Sequence, residues 1–274
     1  MNFTAIQQSN HDLILTDIQH FDLMQTLDCG QAFRWSGYGD KYSGIAHGRR
    51  LEISIDGGHL ILKNCTPEEF ESIWKNYFDL NRDYSALRTH FAKEENMKNA
   101  MEFSPGLRIM RQDPWETLVS FILSQNANIP RIKKMITGLC ESYGEKLPCG
   151  GYAFPTPEKI AALAEADLAP IKCGYRSAYI IDAARQVTNG NVDIAALEAM
   201  PTDIVRQALL GIHGVGHKVA DCVLLYGFGR MECYPVDVWI KRITTELYPN
   251  GLPGILKDCA GIAQLFLFQY VRNR

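Results

Sequence analysis

The stretch Leu210-Gly211-Ile212-His213-Gly214-Val215-Gly216-His217-Lys218, followed nineteen residues after its lysine by the aspartate of Pro235-Val236-Asp237, constrains this chain more than any other feature. Ile204, Val205, Leu209 and Leu210 have the spacing of a helix leading in. Lys218 to Phe228 reads as a helix leading out, with Val219, Cys222, Val223 and Tyr226 on its buried face. Between the two, Gly214 and Gly216 carry no Cβ to hold backbone N–H groups away from a bulky anion. The first amides of a helix have no partner inside it, so a phosphate fits there. Taken singly, the glycines read as a helix C-cap, Lys218 as a surface lysine and Asp237 as an N-cap. Taken together they set an amine nucleophile and a carboxylate about one helix and one return loop apart.

The rest of the composition bounds the setting. Of 274 residues, 46% are hydrophobic and 22% charged, which suits a soluble globular chain of one or two domains. No cleavable signal is read at Met1-Asn2-Phe3-Thr4, and no apolar run reaches the length of a bilayer span. The eight cysteines form no C-x-x-C pair in a chain too long to need a disulfide scaffold. Reduced thiols in a cytosol are expected, and no four-cysteine iron–sulfur cluster. A net charge of -3 argues against a polyanion partner, unless a local basic face is drawn from Arg108, Arg111, Arg131, Lys133, Lys134 and Arg176.

The order of elements predicts an α+β fold. Leu51, Ile53 and Ile55 alternate with polar residues as in a half-buried strand, Asp56-Gly57-Gly58 is turn chemistry, and Leu60 to Lys63 returns as the partner. A second hairpin is read from Phe33 to Ile45, and a helix from Pro67 to Phe78. From about Ala100 onward the chain reads as helices cut by Pro105, Pro114, the loop 149–157, Pro201 and Pro253. The expected domains are a β-rich 1–99, contributing to a base pocket, and a helical 100–274, with a helix-hairpin-helix at 204–228 and a loop at 234–238.

The pairing of hairpin and loop resembles the helix-hairpin-helix-GPD superfamily of DNA glycosylases. Tyr234-Pro235-Val236-Asp237-Val238 stands for the GPD element, with Tyr234 in place of the usual glycine. Lys218-Val219-Ala220-Asp221-Cys222 resembles the 8-oxoguanine DNA glycosylase branch. So do Gly30-Gln31-Ala32-Phe33-Arg34-Trp35, Arg111-Gln112-Asp113-Pro114 and Ala260-Gly261-Ile262-Ala263-Gln264. The resemblance runs from about residue 20 to the end.

It implies a DNA repair enzyme that flips 8-oxoguanine out of a duplex, excises it opposite cytosine and cleaves the strand through a Schiff base. Lys218 would be the nucleophile, and Asp237 would stabilise the charge on the sugar. Cys222, four residues after Lys218, and Phe268 would sandwich the base; Gln264, one turn before Phe268, would bond its Watson–Crick edge. A glutamine inside the apolar run 262–266 needs a partner in any case. The Gly30 carbonyl would accept from N7–H, a donor that guanine lacks. Asn126, Arg131 and Arg176 would read the orphaned cytosine and Tyr175 would fill the vacated stack, although either arginine could serve a phosphate instead. Gly214, Val215, Gly216 and His217 would hold backbone phosphate. The family's hairpin often carries a monovalent cation on backbone carbonyls, here those of Leu210, Ile212 and Val215. No other cofactor is expected. The expected partner is double-stranded DNA containing 8-oxoguanine, met by a monomer without a membrane, in a bacterial cytoplasm at the nucleoid or in a nucleus.

Two positions depart from the animal members of the family. Trp239 stands where they carry a phosphate-binding histidine, and Val271 lacks the acidic residue supporting it. Other readings are an alkylbase glycosylase of the same superfamily, which Lys218 opposes, and a non-catalytic helix-hairpin-helix module, which needs neither Lys218 nor Asp237.

Overall fold

The computed structural model describes residues 2–272. Alternating apolar and polar residues in the first part of the chain build a six-stranded antiparallel sheet, and the remainder is mostly helical, the α+β arrangement expected. The strands are β1 (Ala5–Ser9), β2 (Asp12–Thr16), β3 (Trp35–Tyr38), β4 (Lys41–Ala46), β5 (Arg49–Asp56) and β6 (His59–Lys63), in the order β1-β2-β6-β5-β4-β3. Asp56 pairs with His59 across Gly57 and Gly58, whose φ of +55° and +82° make the two-residue hairpin turn that glycine forms without strain. β1 and β2 were not expected. β1 is exposed along its whole length, so it carries no alternation to read.

Two compact units emerge: Met1–Gly44, Leu51–Arg111 and Met231–Arg274 form one, Ile45–Arg50 and Gln112–Arg230 the other. This differs from a division at 99/100. The last helix, Ala260–Arg272, packs on helix Glu95–Phe103 and so belongs with the sheet. The β4–β5 tip belongs with the second unit, where Gly151 lies so close to Ile45 that a Cβ would meet its Cδ1 at 2.5 Å.

In the first unit the core is aromatic. Trp74 stacks on Phe78 at 5.9 Å, Trp35 lies 5.7 Å from Phe78, and Trp35 Nε1 donates to the Tyr77 hydroxyl at 2.8 Å. Gly44 sits opposite Trp35 in the ladder, where a Cβ would meet the indole at 2.4 Å. The unit also overturns one expectation. Arg108 is fully buried, its guanidinium donating to Asn2 Oδ1 and to the carbonyls of Gln19, His20 and Asp79, 4.1 Å from the Tyr84 ring centroid. A buried charge persists only with this many partners, and Arg108 forms no part of a basic surface.

The second unit is built on helix Pro114–Leu123, started by the Asp113 side chain on the Glu116 N–H at 2.8 Å. It packs against the segment after the hairpin, with Phe121 and Tyr226 stacked at 5.5 Å. That segment is not one α-helix. His217–Cys222 is α-helical and Val223–Gly227 widens into a π-helix, closed by Phe228 N–H on the Val223 carbonyl at 3.0 Å. Pro67–Tyr77 is interrupted likewise at Phe70–Trp74. Among the described residues no helix is long and apolar enough to cross a membrane, and no cluster of His, Cys, Asp or Glu could hold a metal ion.

Candidate active site

The hairpin is shaped by its first glycine. Helix Thr202–Leu210 ends at Gly211, and Val215 N–H closes the turn on the Ile212 carbonyl at 3.0 Å. Gly214 has φ +82°, and a Cβ there would meet the Tyr179 ring at 2.3 Å, so both backbone and packing require glycine. Gly216 is extended, and a Cβ on it would meet nothing within 4 Å. Val215 is buried, whereas Gly216 and His217 are exposed at the helix start. Two residues on, the half-buried Lys218 turns its Nζ onto Ser124 Oγ at 3.3 Å and lies 4.9 Å from the Phe121 ring centroid. Ser124 Oγ donates in turn to the Phe121 carbonyl at 2.7 Å, which leaves its lone pairs for the lysine. Within its unit Lys218 enters no ion pair. Cys222, one turn later, is buried.

The turn Ser124-Gln125-Asn126 joins this site to the residues assigned to the opposite strand. Gln125 Nε2 donates to the Gly214 carbonyl at 3.0 Å. Arg176, only 3% exposed, directs Nε (2.8 Å) and Nη2 to the Gln125 carbonyl, Nη2 also to that of Asn126 (3.3 Å) and Nη1 to that of Cys173 (3.0 Å). Asn126 has φ +49°, and its Nδ2 donates to the Tyr175 hydroxyl at 3.1 Å. Tyr175 remains 48% exposed, with Arg176 at 4.7 Å from its ring and Tyr179 edge-on at 5.6 Å; Tyr179 meets His213 at 4.8 Å. Arg131 stands apart from this network, exposed on helix Ile129–Tyr143. One network thus gathers Lys218, the hairpin, Asn126, Tyr175 and Arg176. Sequence reasoning missed the residues that knit it: Ser124, Gln125 and Tyr179. The only trace they left is position, two of them beside Asn126 and one a helical turn after Tyr175.

The remaining candidates lie in the first unit. Gly30 has φ +91°, and Gln31 pins its loop, donating to the carbonyls of Thr26 (2.9 Å) and Arg108 (2.7 Å) while accepting from Met110 N–H (2.9 Å). The neighbouring Cys29 thiol donates to the Thr26 carbonyl at 3.2 Å, and burial pushes its pKa up to about 11. Gln269 also hydrogen-bonds this thiol, which sets the Gly30 loop beside helix Ala260–Arg272. On that helix Gln264 is buried and its Oε1 has no hydrogen-bond partner among the described residues. Phe268, one turn on, is half-buried, with the Arg272 guanidinium 5.6 Å from its ring. Asp237 caps helix Val238–Leu247, its Oδ1 accepting from Ile240 N–H at 2.7 Å.

Known proteins match both parts of the chain. The family described as 8-oxoguanine DNA glycosylase, N-terminal domain, covers residues 13–118, and the HhH-GPD superfamily of base excision DNA repair proteins covers 119–251. A probable N-glycosylase/DNA lyase of Methanothermobacter thermautotrophicus is 32% identical over 239 residues, 75% of each chain. The structure of MBOgg1 bound to a low-affinity DNA ligand is similar, at 40% identity and TM-score 0.92 over 98% of each chain. So is the Clostridium acetobutylicum 8-oxoguanine glycosylase/lyase, bound to double-stranded DNA with cytosine opposite 8-oxoG. Its identity is 34% and its TM-score 0.92, over 100% of this chain and 99% of that one. With each part matched in order and the fold shared end to end, the chain belongs to the 8-oxoguanine DNA glycosylase family of the helix-hairpin-helix-GPD superfamily, and is a bifunctional DNA glycosylase and lyase.

Proposed function

We propose that the enzyme excises 8-oxoguanine paired with cytosine by flipping it out of the duplex, and then cuts the strand by β-elimination through a Schiff base on Lys218. The observation that carries this reading is the Lys218 amine, held at the hairpin exit by a hydroxyl and an aromatic face with no ion pair in its unit. An amine must be uncharged to attack. Its nitrogen bonds to C1′ as the C1′–N9 bond breaks, and the departing base takes up a proton. Ring opening converts the adduct to an imine; loss of a C2′ proton then expels the 3′ phosphate. Asp237 would stabilise the positive charge on the sugar in the first step.

Recognition of the lesion would rest on Gly30, Gln264, Phe268 and Cys222. The unpartnered Gln264 Oε1 is an acceptor, and a guanine-type Watson–Crick edge offers N1–H and N2–H donors. Gly30, without a Cβ, lets the main chain come close to a ligand, and its carbonyl would accept from N7–H and repel the bare N7 of guanine. Asn126, Arg131 and Arg176 would serve cytosine and Tyr175 the vacated stack. The amides of Gly214 to His217 would take phosphate. A monovalent cation on the Leu210, Ile212 and Val215 carbonyls belongs to the same reading. The Ile212 oxygen spends one lone pair on Val215 N–H and keeps the other.

Borohydride trapping on a duplex with 8-oxoguanine opposite cytosine tests the reading. A covalent adduct is expected from the wild type and none from Lys218→Gln, which should still bind the lesion. Full base excision by Lys218→Gln would remove Lys218 from the chemistry.

A further inference from the structure

Only Pro235 and Val236 separate Tyr234 from Asp237, the residue that caps helix Val238–Leu247. Asp237 Oδ1 is spent on Ile240 N–H, and Oδ2 has no hydrogen-bond partner among the described residues. Where that second oxygen points depends on how the loop enters the helix. The Tyr234 and Thr244 hydroxyls share a hydrogen bond at 3.1 Å. Thr244 lies seven residues after the cap, two turns along and on the helix face that carries Asp237. The bond therefore ties the loop to the body of the helix, outside the helix's own ladder. Burial lifts the Tyr234 phenol above its ordinary pKa, so the hydroxyl keeps its proton. Pro235 is buried, has a fixed φ and holds the residue before it to extended backbone, so the link from Tyr234 to the carboxylate is short and stiff.

The far end of the helix is held as well. Tyr248, next after it, donates to Glu94 Oε2 at 2.6 Å, and Glu94 caps helix Glu95–Phe103 by accepting from the N–H groups of Asn96 and Met97. Helix Glu95–Phe103 packs on Ala260–Arg272, which carries Gln264 and Phe268. Of the two tyrosine bonds, that of Tyr234 acts on the loop that presents the carboxylate. A glycine at 234, the usual residue of the GPD element, has no side chain to make it. We propose that Tyr234 is a positioning residue whose bond to Thr244 aims the Asp237 carboxylate at the charge developing on the sugar, an inference that rests on the function proposed above. A carboxylate stabilises that charge only from the right distance and angle, so a small misplacement costs rate more than binding. Tyr234 acts through Asp237 and need not touch DNA.

The test measures three quantities together: single-turnover excision of 8-oxoguanine opposite cytosine, affinity for a duplex carrying a tetrahydrofuran abasic analogue, and melting temperature. Tyr234→Phe keeps the ring and removes the hydroxyl, and Thr244→Val removes its partner. Each should slow excision by about three- to tenfold, the loss expected of one hydrogen bond, with affinity nearly unchanged. The double variant should be no slower than either single one, because both remove the same bond. Thr244→Ser keeps a hydroxyl and should restore most of the rate. In an Asp237→Asn background Tyr234→Phe should slow excision no further, which separates aiming of the charge from general support of the fold. Thr245→Ala, which loses a 2.9 Å bond from Oγ1 to the Lys241 carbonyl on the same helix, should excise at the wild-type rate. Wild-type rates in both Tyr234→Phe and Thr244→Val would overturn the assignment, as would affinity falling in step with rate or an equal loss in the Asp237→Asn background. If the wild type is trapped by borohydride and Asp237→Asn is slow while Tyr234→Phe excises normally, only the Tyr234 brace fails; if the wild type is never trapped, the function reading fails and the brace with it.

Discussion

The guanidinium of Arg176 is clamped on the main-chain carbonyl of Gln125, the residue whose own side chain holds the hairpin at Gly214. A buried arginine bound to three carbonyls acts first on the shape of its surroundings. It supports the turn that presents Asn126 and steadies the Tyr175 ring.

Arg131 and Arg176 should therefore separate on substitution. Arg176→Ala is expected to destabilise the fold by about 2–4 kcal/mol, because buried carbonyls lose their donor. Arg131→Ala, on an exposed side chain, should leave stability within about 0.5 kcal/mol of wild type. The wild type should excise 8-oxoguanine opposite cytosine roughly tenfold or more faster than opposite adenine, as one lost charge-assisted hydrogen bond implies. Arg131→Ala should narrow that ratio by slowing the cytosine reaction. Urea melts and single-turnover rates on duplexes differing in the opposite base measure both effects. Equal wild-type rates for cytosine and adenine would leave Arg131 as a phosphate contact.

At Asp237 the cap and the charge can be parted. Asparagine caps a helix about as well as aspartate, so Asp237→Asn should keep the bond to Ile240 N–H and the melting temperature. Its excision rate should fall by roughly 100-fold or more, with affinity for the lesion nearly unchanged, if the carboxylate acts in the transition state. An unchanged excision rate in Asp237→Asn would make Asp237 a cap and nothing else, and a fall in affinity matching the fall in rate would place its charge in binding and not in the transition state.

Gln264 sets function against stability. Its buried Oε1 has no partner in the free protein, so Gln264→Leu should leave stability unchanged or raise it. The same variant should lose at least about tenfold in excision at subsaturating DNA, through a missing hydrogen bond to the base. A drop in stability would mean the amide already bonds something within the fold.

Cys29 should resist alkylation at neutral pH. Burial favours the neutral thiol and lifts its pKa from 9.0 to about 11, so the reactive thiolate is scarce. Iodoacetamide at pH 8, read by mass spectrometry, should modify the exposed Cys149 first and spare Cys29. The raised pKa also has a sign for stability. The contribution is intact below about pH 9, the open-chain value, and is lost as pH climbs through 11. Early modification of Cys29 would show that its loop opens readily.

Much of the fold could be read because its signals are local. The β5–β6 hairpin followed from alternation plus Gly57-Gly58, and the hairpin helices from apolar spacing and glycines. The π-helical turn at Val223–Gly227 could not, since apolar periodicity scarcely distinguishes one extra residue in a turn. Burial of Arg108 and Arg176 was invisible for another reason. Their partners are mainly backbone carbonyls, which every residue carries and no sequence pattern marks. At the site, Lys218 and Asp237 stood out through paired motifs, whereas Gln125 works through a main-chain acceptor far along the chain.

Ser124, Gln125 and Asn126 hold three different attachments on consecutive residues: the Lys218 amine, the hairpin and the Tyr175 hydroxyl. Such a turn cannot drift piecemeal over generations. A backbone adjustment that suits a new residue at 126 also shifts the carbonyl beneath Arg176 and the hydroxyl beneath Lys218. Descendants that change which base they tolerate across the helix must do so with side chains arriving from outside the turn. Position 131, exposed and unbound by it, is where such variation should accumulate.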